Sequence, residues 1–412
     1  MPREKSIAER FEAYVEAVGA RLHKPNRRFL RDALFGLLEN RSTLLSEIGR
    51  ALDEPRRLIH TEKRLSRGLA SRRYNDAAVE ANYLKLVAPA LRDERFPRPT
   101  IAVDVTDITK PRAKKMPYLA KVRDGSTGEI RNGYDVVSVE AVGARGRRLP
   151  LLARLFSSAS PEFTSQTSFL LSAVAAAAPH VPKDAFWVFD SGFDGRYFFQ
   201  RFEELGLRYA VRLRLGGKRT LFTPLGDMDP TPLMEACPRT HRHRTRTQGR
   251  GTSITVDIGW VQDVHLQRYR TGGNVSKEPA KERYSVVFAS NRMLSKDPIA
   301  ILTNENVRTV EDAGRIVDVY LERWGVEEAH RFAKQGFDME DVRALTWTGL
   351  KRMVQLVYLA YGFLAQLVHG PREQTERIAA TFKAFGPVPT YLYYRLLEGI
   401  GQLLRRTMDG GP

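Results

Sequence analysis

The order of short apolar runs constrains this chain more than any other feature. Three strand-like segments come first: Thr100–Val105, residues 134–142 and residues 148–156. The first is rich in β-branched residues, which suit a pleated, half-buried surface. The Ala/Leu/Ser-rich stretch Thr164–Ala178 reads as a helix. Ala185–Asp190 is a short strand ending in a carboxylate, Gly195–Leu205 an amphipathic helix, and Arg208–Leu215 another strand. The order is therefore β-β-β-α-β-α-β.

A hairpin meander followed by alternating α and β is the pattern of a ribonuclease-H-like α/β core. One more helix is needed to complete it, and it does not follow at once. Residues 216–305 carry Pro/Gly/Thr turns, strand candidates at 252–260, 283–290 and 298–303, and no convincing helix. They are expected to form a mainly β insertion. A strong helical pattern resumes near Val310. The expected fold class is α/β: a ribonuclease-H-like core over 98–215 and 306–345, with the insertion at 216–305. Helical regions flank it at 1–97 and 346–412, and Pro97 to Pro99 mark the first boundary.

Charge suggests the partner. The 412 residues include 66 Lys and Arg against 48 Asp and Glu, a net charge of +18. With 42% hydrophobic residues the chain can build real cores, so this is not a disordered basic tail. A folded chain this basic points to a polyanion, nucleic acid before an anionic membrane surface. Cys237 is the single cysteine, which excludes an internal disulfide and fits a reducing, cytoplasmic setting. The charged N-terminal residues do not read as a signal peptide. The most apolar run, Val354–Val368, is too short and too polar to span a bilayer, so no membrane association is expected.

Within 1–97 the helical pattern breaks at Asp53-Glu54-Pro55. Ser42 and Thr43 sit where the preceding helix needs an N-cap. A basic helix follows with Arg56, Arg57, Lys63, Arg64, Arg67, Arg72 and Arg73. Helix, break and basic helix is the order of a helix-turn-helix reader, and equally of a small bundle with a solvated basic face. The insertion holds a second basic run, with Arg239, Arg242, Arg244, Arg246 and Arg250 around His241 and His243. His-x-His has metal-ligand spacing but lacks a third partner, so a DNA-backbone or loop role is favoured over zinc. Gly216-Gly-Lys218 lacks P-loop spacing, and no ATP use is expected.

Tyr320, Arg323, Glu327 and Lys334 are expected on one stripe of one helix, joined by Arg331, because residues seven apart drift by only about 20°. Val319, Val326, Ala329, Phe332 and Ala333 form the opposite, apolar side. Two further acids stand at strand ends: Asp104 in Val103-Asp-Val-Thr106 and Asp190 in Val188-Phe-Asp190. In a ribonuclease-H-like sheet these two strands are neighbours. Three carboxylates converging at one place repel unless cations are present, and Mg²⁺ takes such oxygen ligands while keeping positions open for phosphate. Asp107 is the competing acid, but in an extended strand it points away from the face shared by Asp104 and Thr106. Asp194 is expected to cap the following helix.

These residues resemble the bacterial insertion-sequence DDE transposases of the YREK-signature group. The motif Y-x2-R-x3-E-x6-K is met by Tyr320, Arg323, Glu327 and Lys334, D-x-T by Asp104-Val-Thr106, and the second acidic motif by Asp190-Ser-Gly-Phe-Asp194. The resemblance implies that Asp104, Asp190 and Glu327 are the catalytic acids and hold two Mg²⁺ ions, with Mn²⁺ as a substitute. It implies that Tyr320, Arg323, Lys334 and Arg212 hold DNA phosphates near the scissile bond. DNA contacts are further expected from Arg331, Arg242, Arg244, Arg246, Arg64 and Arg67. The implied activity is cleavage of transposon ends in double-stranded DNA and joining of the 3′-hydroxyl to target DNA. A DNA-bound homodimer follows, with a cytoplasmic, nucleoid-associated location. Leu350, Met353, Leu356, Val357, Tyr361 and Leu364 suggest a packed helix in the C-terminal region, and that region is expected to support synapsis through dimerisation. Two departures stand out. Ser191 follows Asp190 where many relatives carry Arg, and Ile299 lies where hairpin-forming relatives carry Trp. A structure-specific nuclease of the same fold, or a non-catalytic DNA-binding descendant, remains the alternative.

Overall fold

The computed structural model describes residues 6–93, 96, 98–143, 147–216, 219–246, 253–269, 275–370 and 391–408. Helices open the chain: α1 (Ile7–Val18), α2 (Lys24–Asn40), α3 (Leu45–Ala51), α4 (Leu58–Leu69) and α5 (Asp76–Val87). Strands β1 (Thr100–Thr109), β2 (Ala120–Arg123), β3 (Ile130–Val142) and β4 (Arg148–Phe156) follow. Then come α6 (Gln166–Ala177), β5 (Phe186–Phe189), α7 (Arg196–Glu204) and β6 (Arg208–Arg212). The next stretch holds β7 (Leu221–Phe222), α8 (Pro230–Ala236), β8 (His241–Arg246), β9 (Ser253–Tyr269), β10 (Val275–Pro279), β11 (Tyr284–Ser290) and β12 (Ile299–Thr303). It closes with α9 (Val310–Glu322), α10 (Gly325–Gly336), α11 (Trp347–Val368) and α12 (Tyr393–Met408). The chain is thus mixed α/β with an extensive mixed sheet, and it divides into two compact units.

One unit comprises residues 1–97, 105–181 and 327–412. Its core forms around α11, which packs on β4, α2, α4, α5 and α12. Leu350, Met353, Leu356, Val357, Tyr361 and Leu364 are all buried there. Their burial is that of the packed helix expected in this region. Ser6 and Glu9 close a capping box at the start of α1, and Phe11, Tyr14, Val15 and Val18 are buried along it. The Tyr14 hydroxyl donates to the Leu359 carbonyl at 2.7 Å, tying α1 to α11. Arg352 is buried on α11, where both of its carboxylate bonds run to Asp76 at 2.7 Å. Gly68 lets α4 close on α2, because a Cβ there would lie 2.3 Å from Phe29 Cδ2. In the sheet of this unit, β3 pairs antiparallel with β2 and β4.

The other unit comprises residues 98–104 and 182–326. Here β1 pairs in parallel with β5, and β5 with β6. Both β11 and β12 continue this sheet: β12 runs antiparallel to β6, β11 to β12, and β9 to β11. The free edge of β6 is thereby covered. Helix α7 stacks Phe202 on Phe189 at 4.2 Å between ring centroids. A capping box of Thr309 and Asp312 starts α9, which packs on β5, β8, β9, β11 and β12. At Gly314 a Cβ would lie 2.4 Å from His243 Nδ1, so this glycine admits the imidazole against the helix.

The neighbouring strands and the strand order β-α-β-α-β follow the sequence reading, but several details differ. Four strands, not three, precede α6: the addition is β2, only four residues long and paired with β3. Asp104 lies mid-strand in β1 rather than at its end. The 216–305 stretch contains a helix, α8, started by Pro230 at its first position. The part of its basic run from His241 to Arg246 is a strand, β8, paired with β9, and Arg250 lies outside the described residues. Ser42 and Thr43 do not cap α3, which starts after Leu44; the Thr43 hydroxyl instead donates to the Asp338 carbonyl at 3.0 Å. The helix expected to continue from Val310 through Lys334 is two helices. Around Arg323 the backbone tightens into i→i−3 bonds, Arg323 N to Tyr320 O at 3.1 Å and Val326 N to Arg323 O at 2.9 Å. Gly325, a poor helix former, follows. On α9, Tyr320 belongs to the buried face with Val317 and Leu321, while Val319 is half-exposed.

Candidate active site

In the second unit, the parallel register pairs Val103 with Phe189. One residue further along each strand stand Asp104 and Asp190. Parallel neighbours lie about 4.8 Å apart, so the two acids leave adjacent strands at the same level. Asp190 also caps a short 3₁₀ turn, accepting from Gly192 N at 2.9 Å.

Arg323, at the end of α9, reaches this pair. Its Nη1 donates to Asp104 Oδ2 at 3.0 Å, and the two side chains are only 9% and 14% exposed. Tyr320, fully buried, lies beneath it with ring centroid 5.8 Å from the guanidinium carbon. Burial raises the Asp190 pKa, and the negative charge of Asp104 raises it further. Arg323, the Gly192 N–H and Arg214 oppose that rise. Two repelling carboxylates with all-oxygen donors, steadied by one guanidinium, form a donor set that suits a hard divalent cation. Among the described residues, no group of three or more acids, His or Cys is close enough to hold a metal ion as it stands.

Asp194 does not cap α7, whose N-cap is Gly195. It accepts instead from Arg214 N at 2.8 Å and pairs with Arg219. Arg212 ends β6 half-buried, opposite Ile301. On β8, Arg242 faces Asp257 at 3.8 Å, Arg244 Nε donates to Ser253 Oγ at 2.8 Å, and Arg246 is exposed. His243 Nε2 lies 2.9 Å from Asp318 Oδ1, which commits it to α9 rather than to a metal. Ile299 is buried in β12. The pair Gly217-Lys218 lies outside the described residues.

In the first unit, α10 keeps its expected faces: Ala329, Phe332 and Ala333 are buried and Glu327 and Arg331 exposed. Arg331 pairs with Glu328 at 2.7 Å. Lys334 lies 3.3 Å from both Asp107 Oδ2 and Glu340 Oε1. Asp107 therefore has a definite role, as the anchor of the motif lysine. It also accepts from Gly125 N at 3.1 Å. Burial and the nearby Asp107 charge push Asp135 up to about 6. His330, on the same helix, is fixed to Ser138 Oγ at 2.7 Å. Arg64 is drawn inward, bridging Asp32 at 2.6 Å and Glu54 at 2.9 Å, whereas Arg67 is exposed. Asp107 was visible in the sequence only as an acid competing with Asp104, and Arg214 not at all, because their partners are set by strand register and loop closure.

Residues 95–363 match the family model described as the transposase DDE domain, and the protein belongs to that family. It is a transposase. No curated protein matches it. Among solved structures it is similar to one described as the cryo-EM structure of piggyBac transposase synaptic complex with hairpin DNA. The identity is 10%, with 98% of this chain and 79% of that chain covered and a TM-score of 0.43. Among the described residues, no helix is long and apolar enough to cross a membrane.

Proposed function

We propose that the protein binds the ends of a transposable element in double-stranded DNA, cuts them and joins the freed ends to target DNA. The observation that carries this reading is the placement of Asp104 and Asp190 on adjacent parallel strands with Arg323 on Asp104. The core is read as ribonuclease-H-like, with residues 1–97 as the terminal-repeat binder and 216–305 as the insertion. Asp104, Asp190 and Glu327 would hold two Mg²⁺ ions, which supply activation of the attacking oxygen and stabilisation of the leaving one.

The chemistry is two successive phosphoryl transfers. In the first, a water oxygen bonds to phosphorus, the bond to the 3′ oxygen breaks, and a proton leaves the water; the products are a 3′-hydroxyl and a 5′-phosphate. In the second, that 3′-hydroxyl bonds to a target phosphorus, loses its proton and displaces a target 3′ oxygen. Negative charge builds on the non-bridging oxygens in both steps, and fixed cations lower that barrier. Arg323 is preorganised for this by its bond to Asp104, and Lys334 by its bonds to Asp107 and Glu340. Tyr320 underlies Arg323 rather than facing solvent, so its part is to hold the guanidinium in place. Arg242, Arg244, Arg246 and Arg67 serve as backbone contacts, while Arg64 acts within the protein. Pairing of two ends calls for a DNA-bound dimer in a cytoplasmic, nucleoid-associated setting.

The test uses duplexes carrying the inverted repeats that flank the coding sequence. With Mg²⁺, the wild-type protein should nick them and transfer a pre-cleaved 3′ end into a plasmid. Asp190→Asn should abolish both steps and leave duplex binding intact. Cleavage by Asp190→Asn, or use of water but never a 3′-hydroxyl, refutes the reading.

A further inference from the structure

The turn after Asp190 carries a neutral serine, so residue 191 offers no cation beside the acids. A cation is nevertheless there. Arg214, two residues beyond β6, is exposed and donates from Nε to the Ser191 carbonyl at 2.7 Å. Its own backbone N–H is held by Asp194 Oδ2 at 2.8 Å. Asp194 is buried and is neutralised by Arg219, so it does not consume the Arg214 charge. Among the described residues, the Nη1 and Nη2 groups of Arg214 make no hydrogen bond, while its charge is felt at Asp190.

We infer that Arg214 is a DNA-phosphate ligand of this site, its guanidinium oriented through Nε on the Ser191 carbonyl and supplying the cation that residue 191 lacks. The inference rests on the transposase reading and adds a residue to it. A solvated arginine spends rotamer freedom to be held at one nitrogen. Holding Nε alone leaves the paired terminal N–H groups free for the two oxygens of a phosphate. Asp194 then acts as a positioning residue: it accepts from the backbone of Arg214 and ties Arg219 to the same turn.

The experiment measures binding and cutting of one duplex, enriched from a random-sequence pool by the wild-type protein. Arg214→Ala should lower the slope of log K against log salt by about one, as loss of one phosphate contact requires. Its cleavage of the duplex with Mg²⁺ should fall about tenfold, since one positioned charge-assisted contact is worth about 1.4 kcal/mol. Arg214→Lys should keep the slope but not the full rate. Ser191→Arg placed in the Arg214→Ala background should restore both readouts, which a purely structural role would not allow. Arg201→Ala, which removes a surface pair on α7 with Glu204, serves as the unchanged control. An Arg214→Ala protein with normal slope and cleavage overturns the inference, as does a loss that Ser191→Arg leaves in place. If the wild-type protein cuts no DNA at all, the transposase reading fails, while the salt slope still decides Arg214.

Discussion

Arg323→Met removes a buried charge and keeps most of the side-chain volume, so its effect isolates the electrostatics of the acid pair. The Arg323–Asp104 contact is 3.0 Å with both side chains largely buried. At an effective dielectric of about 20, Coulomb attraction at this separation is about 5 kcal/mol. Breaking a buried pair from one side costs about 3–5 kcal/mol. Part of that is recovered because the acid pair can take up a proton. The sign follows from Asp190, whose native pKa is already raised by burial and Asp104. Loss of Arg323 raises it further. Stability gained by binding that proton is present at acid pH and is lost as pH rises through the native pKa. The penalty of Arg323→Met should therefore be about 3 kcal/mol at pH 7.5 and smaller, about 1 kcal/mol, near pH 4. Urea unfolding at both pH values measures it, with the slope of the transition as a check on compactness. Added Mg²⁺ should return part of the loss at pH 7.5, because a cation bound only by the native state stabilises it. An equal loss at the two pH values, or a larger one at pH 4, refutes the coupling between Arg323 and the two acids.

Three further outcomes can be checked directly. Asp135 is held at about 6, above the ordinary carboxylate value, so its proton stabilises the native state below pH 4 and that contribution is gone above about 6. Asp135→Asn should gain about 2–3 kcal/mol on the wild type between pH 4 and pH 7.5, read by the same unfolding assay; a difference independent of pH counts against it. Gly314→Ala forces a methyl into the His243 ring and should cost about 1–3 kcal/mol, with His243→Ala in the same chain relieving most of it in thermal melts. Gly68→Ala meets the Phe29 ring and should lower stability by a similar amount; an unchanged melting curve would mean α4 does not sit on α2 as described.

Much of the core was legible because its cues are local. Short apolar runs marked β1, β3, β4, β5 and β6 within a few residues, Ala/Leu/Ser composition marked α6, and amphipathic or apolar patterning marked α7 and α11. Adjacency of β1 and β5, which places Asp104 beside Asp190, followed from element order. What failed depended on tertiary context. The periodicity of residues 310–334 is that of one helix, yet Arg323 and Gly325 break it. At Ser42-Thr43 the expected cap gave way to a bond from the Thr43 hydroxyl to the Asp338 carbonyl, far along the chain. Lys334 was legible as a motif residue, but its anchor Asp107 was not: only the folded register brings them to 3.3 Å.

The break between α9 and α10 changes what the four-residue signature means as a ruler. Tyr320 and Arg323 are tied by the last turn of one helix, and Glu327 and Lys334 by two turns of the next. The three-residue and seven-residue intervals are therefore set by helical geometry. The four-residue interval from Arg323 to Glu327 crosses a tightened turn and is set by chain length instead. Grafting the signature onto another scaffold would require two helices and the tightened turn at Arg323 that joins them, not one unbroken helix carrying the right letters.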